Sequence, residues 1–249
     1  MKIKAAVLHQ QGLPAPYAVS RPIRIEEVTL DGPGEGEVLI EVVAAGLCHS
    51  DLSTIANVRP RKVPTVIGHE AAGIVREVGQ GVRRLRPGDH VVAVFVASCG
   101  HCRYCEDQRP NLCTSSWTAR AEGTLQSGAR RLHFDQGPLY HYTGLSTFAE
   151  YAVVSENSLV SIRKDVPLEV AALFGCAVVT GVGAVFNTAR IRPGQSAAVV
   201  GLGGVGLNAL IGLVAAGANP IVAVDMLPEK LALAKSLGAT HGFLASSPD

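Results

Sequence analysis

The chain has 249 residues, of which 47% are hydrophobic and 17% charged, with 22 basic against 21 acidic side chains. That composition can build a sizeable core and excludes intrinsic disorder, and so even a charge balance leaves no field to draw nucleic acid or an anionic membrane. The N-terminal "MKIKAAVLHQQG" has an apolar run too short for a secretory signal, which predicts a cytoplasmic protein whose clustered cysteines serve as metal ligands or redox groups rather than disulfides.

To about residue 160, short alternating or β-branched runs such as "EVLIEVVAAG", "AAGIVREVG", "DHVVAVFV" and "FAEYAVVS" are separated by the turn clusters "DGPGEGE", "VGQGV" and "RPGDH". This half is expected to be mostly β, a partly open barrel with few helices. The rhythm changes at "DVPLEVAALFGCAVVTGVGAVFNTARIRPGQ", where Pro167 opens a stretch with helical spacing. Then "AAVVGLGGVGLNALIGLVAAGANPIVAVD" reads as strand, glycine turn, helix ending near Gly217, a turn at Asn219-Pro220 and a strand ending at Asp225. The uncharged length from Gly194 to Val224 would span a bilayer, but these interruptions make it a buried strand-helix-strand unit. A helix over "LPEKLALAKSLGA", opened by Pro228 and closed by Gly238, and a third strand at "HGFLA" complete the reading. Two or three strands are less than half of a six-stranded doubly wound sheet, so the second domain is expected to be incomplete.

Four of the six cysteines fall in "CGHCRYCEDQRPNLC". Cys99, Cys102, Cys105 and Cys113 have the short spacing with which thiolates turn onto one tetrahedral ion, and their polar surroundings do not suit buried thiols of a core. An iron–sulfur cluster shares the short spacing, but the bacterial cluster run places its next cysteine closer, so structural zinc is expected.

In "VVGLGGVGLNA", Gly201, Gly203 and Gly206 keep a G-x-G-x-x-G register after an apolar strand and at the head of a helix. The first makes the tight turn, the second admits a pyrophosphate to the backbone, and the third lets helix pack on strand. Asp225 ends the next strand, where an acid accepts from the ribose 2′ and 3′ hydroxyls and repels a 2′-phosphate, which favours NAD over NADP. Lys230 either reaches the same ribose or lies on a solvated helix face.

Cys48, Cys176 and the pair His69-Glu70 remain. Among small apolar neighbours the two cysteines read as buried inert thiols or, less commonly, as ligands. His69-Glu70 places two metal-competent side chains in a mainly apolar segment.

Taken in order, "AAGLCHSDL", "GHEAAGIVREVG", "RPGDHV", the four-cysteine lobe, "STFAEYAVV" and "VVGLGGVGLNA" resemble the zinc-dependent alcohol dehydrogenases of the medium-chain dehydrogenase/reductase superfamily. "GARRLHFDQGPLYHYTGLSTFAEYAVV" is further similar to the branch that holds the class I and class III enzymes. The resemblance implies an α/β chain. A β-rich, GroES-like catalytic domain over residues 1–176, with its structural zinc lobe at 97–115, precedes the N-terminal part of a Rossmann NAD-binding domain at 177–249.

The resemblance also implies site roles. Cys48, His69 and Cys176 would hold a catalytic zinc with an open fourth position, making two zinc ions per chain. Asp51 would orient the His69 ring, and Glu70 would sit behind the metal as an occasional ligand. Ser50 would take the alcohol proton, His49 would lie near the cofactor pyrophosphate, Thr180 and Val205 would lie against the nicotinamide, and Phe95 would line the substrate pocket. Many members carry a relay histidine three residues after the Ser50 position; here it is Ser53.

The implied activity is hydride transfer between a primary alcohol or aldehyde and NAD, with a homodimer expected of a full-length parent and not of this chain. The rivals are a truncated, non-catalytic zinc-binding or interaction protein, and a zinc-lobe nucleic-acid module that the charge balance disfavours.

Overall fold

The computed structural model describes residues 1–134 and 137–246, and the chain divides into two units, Met1–Gly175 and Cys176–Asp249. Asp135 and Gln136 of the class I/III-like segment, and residues 247–249, lie outside the described residues.

In chain order the strands of the first unit are β1 (Lys2–Leu8), β2 (Ile23–Leu30), β3 (Glu37–Gly46), β4 (Thr65–Val66), β5 (Glu70–Val78) and β6 (His90–Ala93), followed by β7 (Leu132–Phe134), β8 (Gly137–Pro138), β9 (Tyr140–His141), β10 (Tyr151–Ser155) and β11 (Leu159–Ile162). They form a six-stranded sheet ordered β8-β7-β2-β1-β4-β9 and a five-stranded sheet ordered β10-β3-β5-β6-β11. All pairs are antiparallel except β4 with β9. The sheets meet at a corner, where Ala5 bridges to Ala149 just ahead of β10 and the Ala6 N–H donates to the Phe148 carbonyl at 2.8 Å. This is the partly open barrel that the alternating runs predict.

Alternation supplies its inside. Ile3, Val7, Val28, Leu30, Leu132 and Val153 build one core cluster, and Val38, Ile40, Val75, Val91, Val154 and Leu159 a second. Each such side chain contributes roughly 1.5–3 kcal/mol on burial.

A polar cluster is also buried. The Glu37 carboxylate accepts from Arg131 Nε at 2.7 Å, from the Gly34 N–H at 2.8 Å and from Ser127 Oγ at 2.6 Å. The Arg131 N–H donates to His141 Nε2 at 3.0 Å. Burial holds His141 down from 6.5 to about 4, against the raising effect of Glu37. The unfolded chain therefore takes up this proton first as the pH falls. The stability it confers is complete above about pH 6.5 and is lost on the way down to pH 4, a change on the order of 3 kcal/mol. Urea midpoints at pH 7.5 and 5 should differ more in the wild type than in His141→Gln; equal differences would mean that another group carries the acid sensitivity.

The second unit has three parallel strands, β12 (Ala197–Val200), β13 (Ile221–Asp225) and β14 (His241–Leu244), in the order β12-β13-β14. Helices Gly204–Ala215 and Pro228–Ser236 connect them, and Val199, Leu202, Leu210, Leu213, Ile221 and Ala234 form their shared core. Gly217 (φ +72°) and Gly238 (φ +111°) take up the left-handed stops after these helices. The strand-helix-strand reading of the uncharged stretch therefore holds, and among the described residues no single helix is long and apolar enough to cross a membrane.

One expected element is broken. Helical spacing runs from Leu168 through Phe186, but the chain is helical over Leu168–Ala171, turns tightly over Ala172–Gly175 and leaves helical geometry at Cys176 (φ −142°, ψ −71°) before resuming at Ala177–Gly183. Periodicity does not register a one-residue interruption.

Candidate functional site

The register of β3 against β5 builds the first cluster. Gly46, the last residue of β3, pairs with Glu70, the first of β5, so Cys48 and His69 leave the same end of the five-stranded sheet. Ligand atoms of Cys48, His69 and Glu70 lie within 4.8 Å of one another, with His69 and Glu70 buried. Their approaches leave no room for larger residues. A Cβ on Gly46 would stand 2.6 Å from Glu70 Oε2, and one on Gly68 (φ +97°) 2.5 Å from the Phe148 nitrogen. A Cβ on Gly175 would lie 2.3 Å from the Ala93 carbonyl oxygen. Cys176 follows as the first residue of the second unit and is buried.

Asp51, 3% exposed, joins the cluster's two arms. Its Oδ2 accepts the Cys48 N–H at 3.1 Å and its Oδ1 accepts from His69 Nδ1 at 2.9 Å. That bond places the ring proton on Nδ1 and leaves Nε2 as the basic nitrogen, the tautomer a metal requires. Burial opposes a charge on His69, but hydrogen bonds to Asp51 and Cys48 outweigh it and push its pKa up to about 9. The pocket thus favours positive charge despite its depth. A thiol, an imidazole and a carboxylate in such a pocket suit zinc.

Two rings wall the imidazole. Phe95 stands edge-on to it at 5.7 Å and Tyr142 at 5.8 Å between centroids. The Tyr142 hydroxyl donates to the Ser50 carbonyl at 3.3 Å and lies 3.1 Å from Thr54 Oγ1. Tyr142 and Thr54 are absent from the sequence reading, because neither carries a spacing signal and their partners are remote in the chain. In the helix His49–Ile55, His49 Nδ1 lies 3.4 Å from Ser53 Oγ, so the residue standing where a relay histidine is often found is itself tied to a histidine.

The lobe thiols Cys99, Cys102, Cys105 and Cys113 bring their sulfurs within 4.8 Å of one another. A short helix, Arg103–Glu106, follows Cys102, and the helix Thr114–Glu122 follows Cys113. The Cys99 N–H donates to the fully buried Cys113 sulfur at 3.3 Å. Backbone N–H groups of Cys105 and Thr114 draw the Cys102 thiol down to about 5, whereas burial drives Cys105 up to about 11. Sulfurs met by backbone donors are prepared to be thiolates, and four of them suit a closed zinc site.

The glycine turn lies wholly in the second unit. Gly201 has φ +88°, and a Cβ on Gly206 would stand 1.8 Å from the Gly201 carbonyl oxygen, whereas one on Gly203 would meet nothing. The turn is therefore tight where helix meets strand and open where a phosphate would approach. Asp225 Oδ2 accepts the Leu202 N–H at 2.6 Å and its Oδ1 that of Leu227 at 3.0 Å, and these bonds hold its pKa below the usual carboxylate range. Lys230 Nζ donates to the Leu202 carbonyl at 3.3 Å, so it turns toward the glycine turn rather than lying on an outer face. Gly181 packs on the helix Gly204–Ala215, where its Cβ would lie 2.4 Å from the Val205 carbonyl oxygen.

The alcohol dehydrogenase GroES-like domain family matches residues 34–164. With the four-cysteine lobe, the Cys48, His69 and Glu70 cluster and the glycine turn described, the chain belongs to the zinc-dependent alcohol dehydrogenases of the medium-chain superfamily. It is 44% identical over 241 residues to S-(hydroxymethyl)glutathione dehydrogenases of Escherichia coli O1:K1 / APEC and of Shigella sonnei (strain Ss046), covering 96% of this chain and 63% of each relative. The chain thus spans about 63% of the length of these curated relatives. Among solved structures, the alcohol dehydrogenase zinc-binding domain protein from Burkholderia ambifaria superposes with TM-score 0.91 at 39% identity. Benzyl alcohol dehydrogenase from Acinetobacter calcoaceticus superposes with TM-score 0.90 at 35% identity. In both cases 100% of this chain and 65% of the other are covered.

Proposed function

We propose that the protein interconverts a primary alcohol and its aldehyde with NAD as hydride carrier, at a zinc held by Cys48, His69 and Cys176. The observation that carries this reading is the Asp51 carboxylate, which fixes the His69 tautomer and the Cys48 backbone together inside a buried, cation-favouring pocket. Zinc bound there supplies a Lewis acid able to bring the pKa of a bound water to about 7. Glu70 stands by as an alternative ligand. A second zinc in the lobe, on Cys99, Cys102, Cys105 and Cys113, has a folding role only.

The remaining work belongs to side chains. Ser50, whose carbonyl is anchored by Tyr142, passes the alcohol proton toward solvent, and His49 with Ser53 offers the next polar groups along that helix. Phe95 lines the substrate pocket. Gly201, Gly203 and Gly206 receive the pyrophosphate, with His49 proposed to lie near it. Asp225 and Lys230 take the ribose hydroxyls, and Thr180 and Val205 support the nicotinamide.

The test is alcohol-dependent NADH formation by the zinc-loaded full chain, over a panel of primary alcohols that includes S-(hydroxymethyl)glutathione. Turnover is expected, with NAD preferred over NADP, and Asp225→Asn is expected to narrow that preference severalfold because the charge facing a 2′-phosphate is gone. No turnover on the whole panel with both zincs present would sink the reading. A folded, zinc-holding protein that fails to bind NAD would favour the non-catalytic alternative.

A further inference from the structure

The four lobe thiols are not equivalent. Cys113 is fully buried ahead of the helix Thr114–Glu122, whose Ser116 and Ala119 are buried in turn. Cys99 is tied to it, since its N–H donates to the Cys113 sulfur at 3.3 Å. Two residues before Cys99, the Ala97 carbonyl accepts from Gln126 Nε2 at 2.9 Å. This pair is anchored to the unit around it.

Cys102 and Cys105 form the outer pair. Both are half-buried, and they belong to the turn of the short helix Arg103–Glu106, none of whose residues is buried. The side chain of Arg103, which stands between them, is 89% exposed. Their sulfurs lie 3.5 Å apart. Closing that gap to the roughly 2 Å of a sulfur–sulfur bond is a side-chain movement within one turn. The turn is held by its own backbone, with the Glu106 N–H donating to the Cys102 carbonyl at 3.0 Å and the Gln108 N–H to the Cys105 carbonyl at 3.1 Å. Joining the two sulfurs therefore leaves the anchored pair where it is.

We propose that Cys102 and Cys105 are a thiol–disulfide exchange site for small disulfides of the glutathione kind, and that their oxidation empties the lobe of its ion. One thiolate of the pair attacks a sulfur of the small disulfide, forming a mixed disulfide and expelling one small thiolate. The other attacks the protein sulfur of that mixed disulfide, forming the Cys102–Cys105 bond and expelling the second small thiolate. Two protein thiolates are thereby oxidised, and one small disulfide is reduced to two thiolates that take protons from water as the pH dictates. Cys99 and Cys113 remain, and two thiolates do not make the closed four-ligand site that structural zinc occupies. An excess of small thiol runs the same steps backward. The inference rests on the reading of the lobe as a zinc site, and it adds a modification to that site.

The test takes the full chain, reduced and zinc-loaded, through mixtures of reduced and oxidised glutathione of rising oxidised share. Released zinc is read with a chromogenic chelator, and at each point free thiols are alkylated and disulfides are located by mass spectrometry. Loss of one zinc equivalent per chain is expected in step with loss of the Cys102 and Cys105 thiols, while Cys99, Cys113, Cys48 and Cys176 are still alkylated. Reducing buffer with added zinc should restore both. Because the ion binds only the reduced pair, tenfold more free zinc should raise the oxidised-to-squared-reduced glutathione ratio at the midpoint about tenfold.

A first disulfide that contains Cys99 or Cys113, modification of Cys48 or Cys176 ahead of the lobe, or a lobe that keeps its thiols and its ion in fully oxidised glutathione overturns the proposal and leaves the zinc reading standing. If the reduced lobe holds no zinc, the zinc reading falls and the disulfide positions decide the exchange site. Cys102–Cys105 as the first disulfide then supports it, and any other pair or none overturns it.

Discussion

Asp51→Asn is expected to lower kcat/KM roughly 10- to 100-fold and to weaken the hold on the proposed catalytic zinc by a similar factor. The reason is a count of acceptors. Asp51 takes two N–H groups, one on each oxygen: His69 Nδ1 at 2.9 Å and the Cys48 backbone at 3.1 Å. Asparagine has one oxygen, so in either orientation an NH₂ group faces an N–H. If the NH₂ faces His69, the imidazole moves its proton to Nε2 and loses the lone pair a metal needs. If it faces Cys48, the backbone ahead of the helix His49–Ile55 loses its anchor. Asp51 is 3% exposed, so no solvent replaces either bond. Zinc per chain by elemental analysis, together with kcat/KM, checks this. Native activity with full zinc would show that the carboxylate does not set the ring.

Cys113→Ser should lower the zinc content by one equivalent per chain and open the lobe. Among the four lobe thiols only Cys113 is fully buried, and its sulfur also accepts the Cys99 N–H at 3.3 Å. A serine oxygen is a poorer zinc ligand and sits short of both partners. Binding free energies for structural zinc in small peptides reach about 10–16 kcal/mol, so losing the ion outweighs the lobe's own packing. The lobe holds few buried apolar side chains, and the short helix Arg103–Glu106 has none. The expected signature is rapid proteolysis within residues 99–113 while the sheets stay protected. Two zincs and an uncut lobe would refute the assignment.

The sequence reveals these features unequally, for physical reasons. Lobe ligands and cofactor glycines lie a few residues apart, so local spacing carries them, and the strand alternation behind Val38, Ile40 and Val75 survives without context. Cys48 and His69 are brought together by the β3–β5 register and by Asp51, and by their neighbours alone both pass for core residues; the family resemblance is what singles them out. Tyr142 and Thr54 meet across distant segments and leave no trace in any motif. The helix Thr114–Glu122 has no strong amphipathic pattern to announce it.

Each proposed ligand of the catalytic pocket arrives behind a glycine: Gly46 two residues before Cys48, Gly68 directly before His69, and Gly175 directly before Cys176. At each one the place of a Cβ is claimed by another atom, namely Glu70 Oε2, the Phe148 backbone or the Ala93 carbonyl. A survey of tolerated substitutions would therefore draw the boundary of this pocket wider than its chemistry. It would include three positions that donate no electron pair and carry no charge, and whose contribution is the volume they leave to others. Freedom to vary this pocket lies in its aromatic wall of Phe95 and Tyr142, and not at these three positions of empty space.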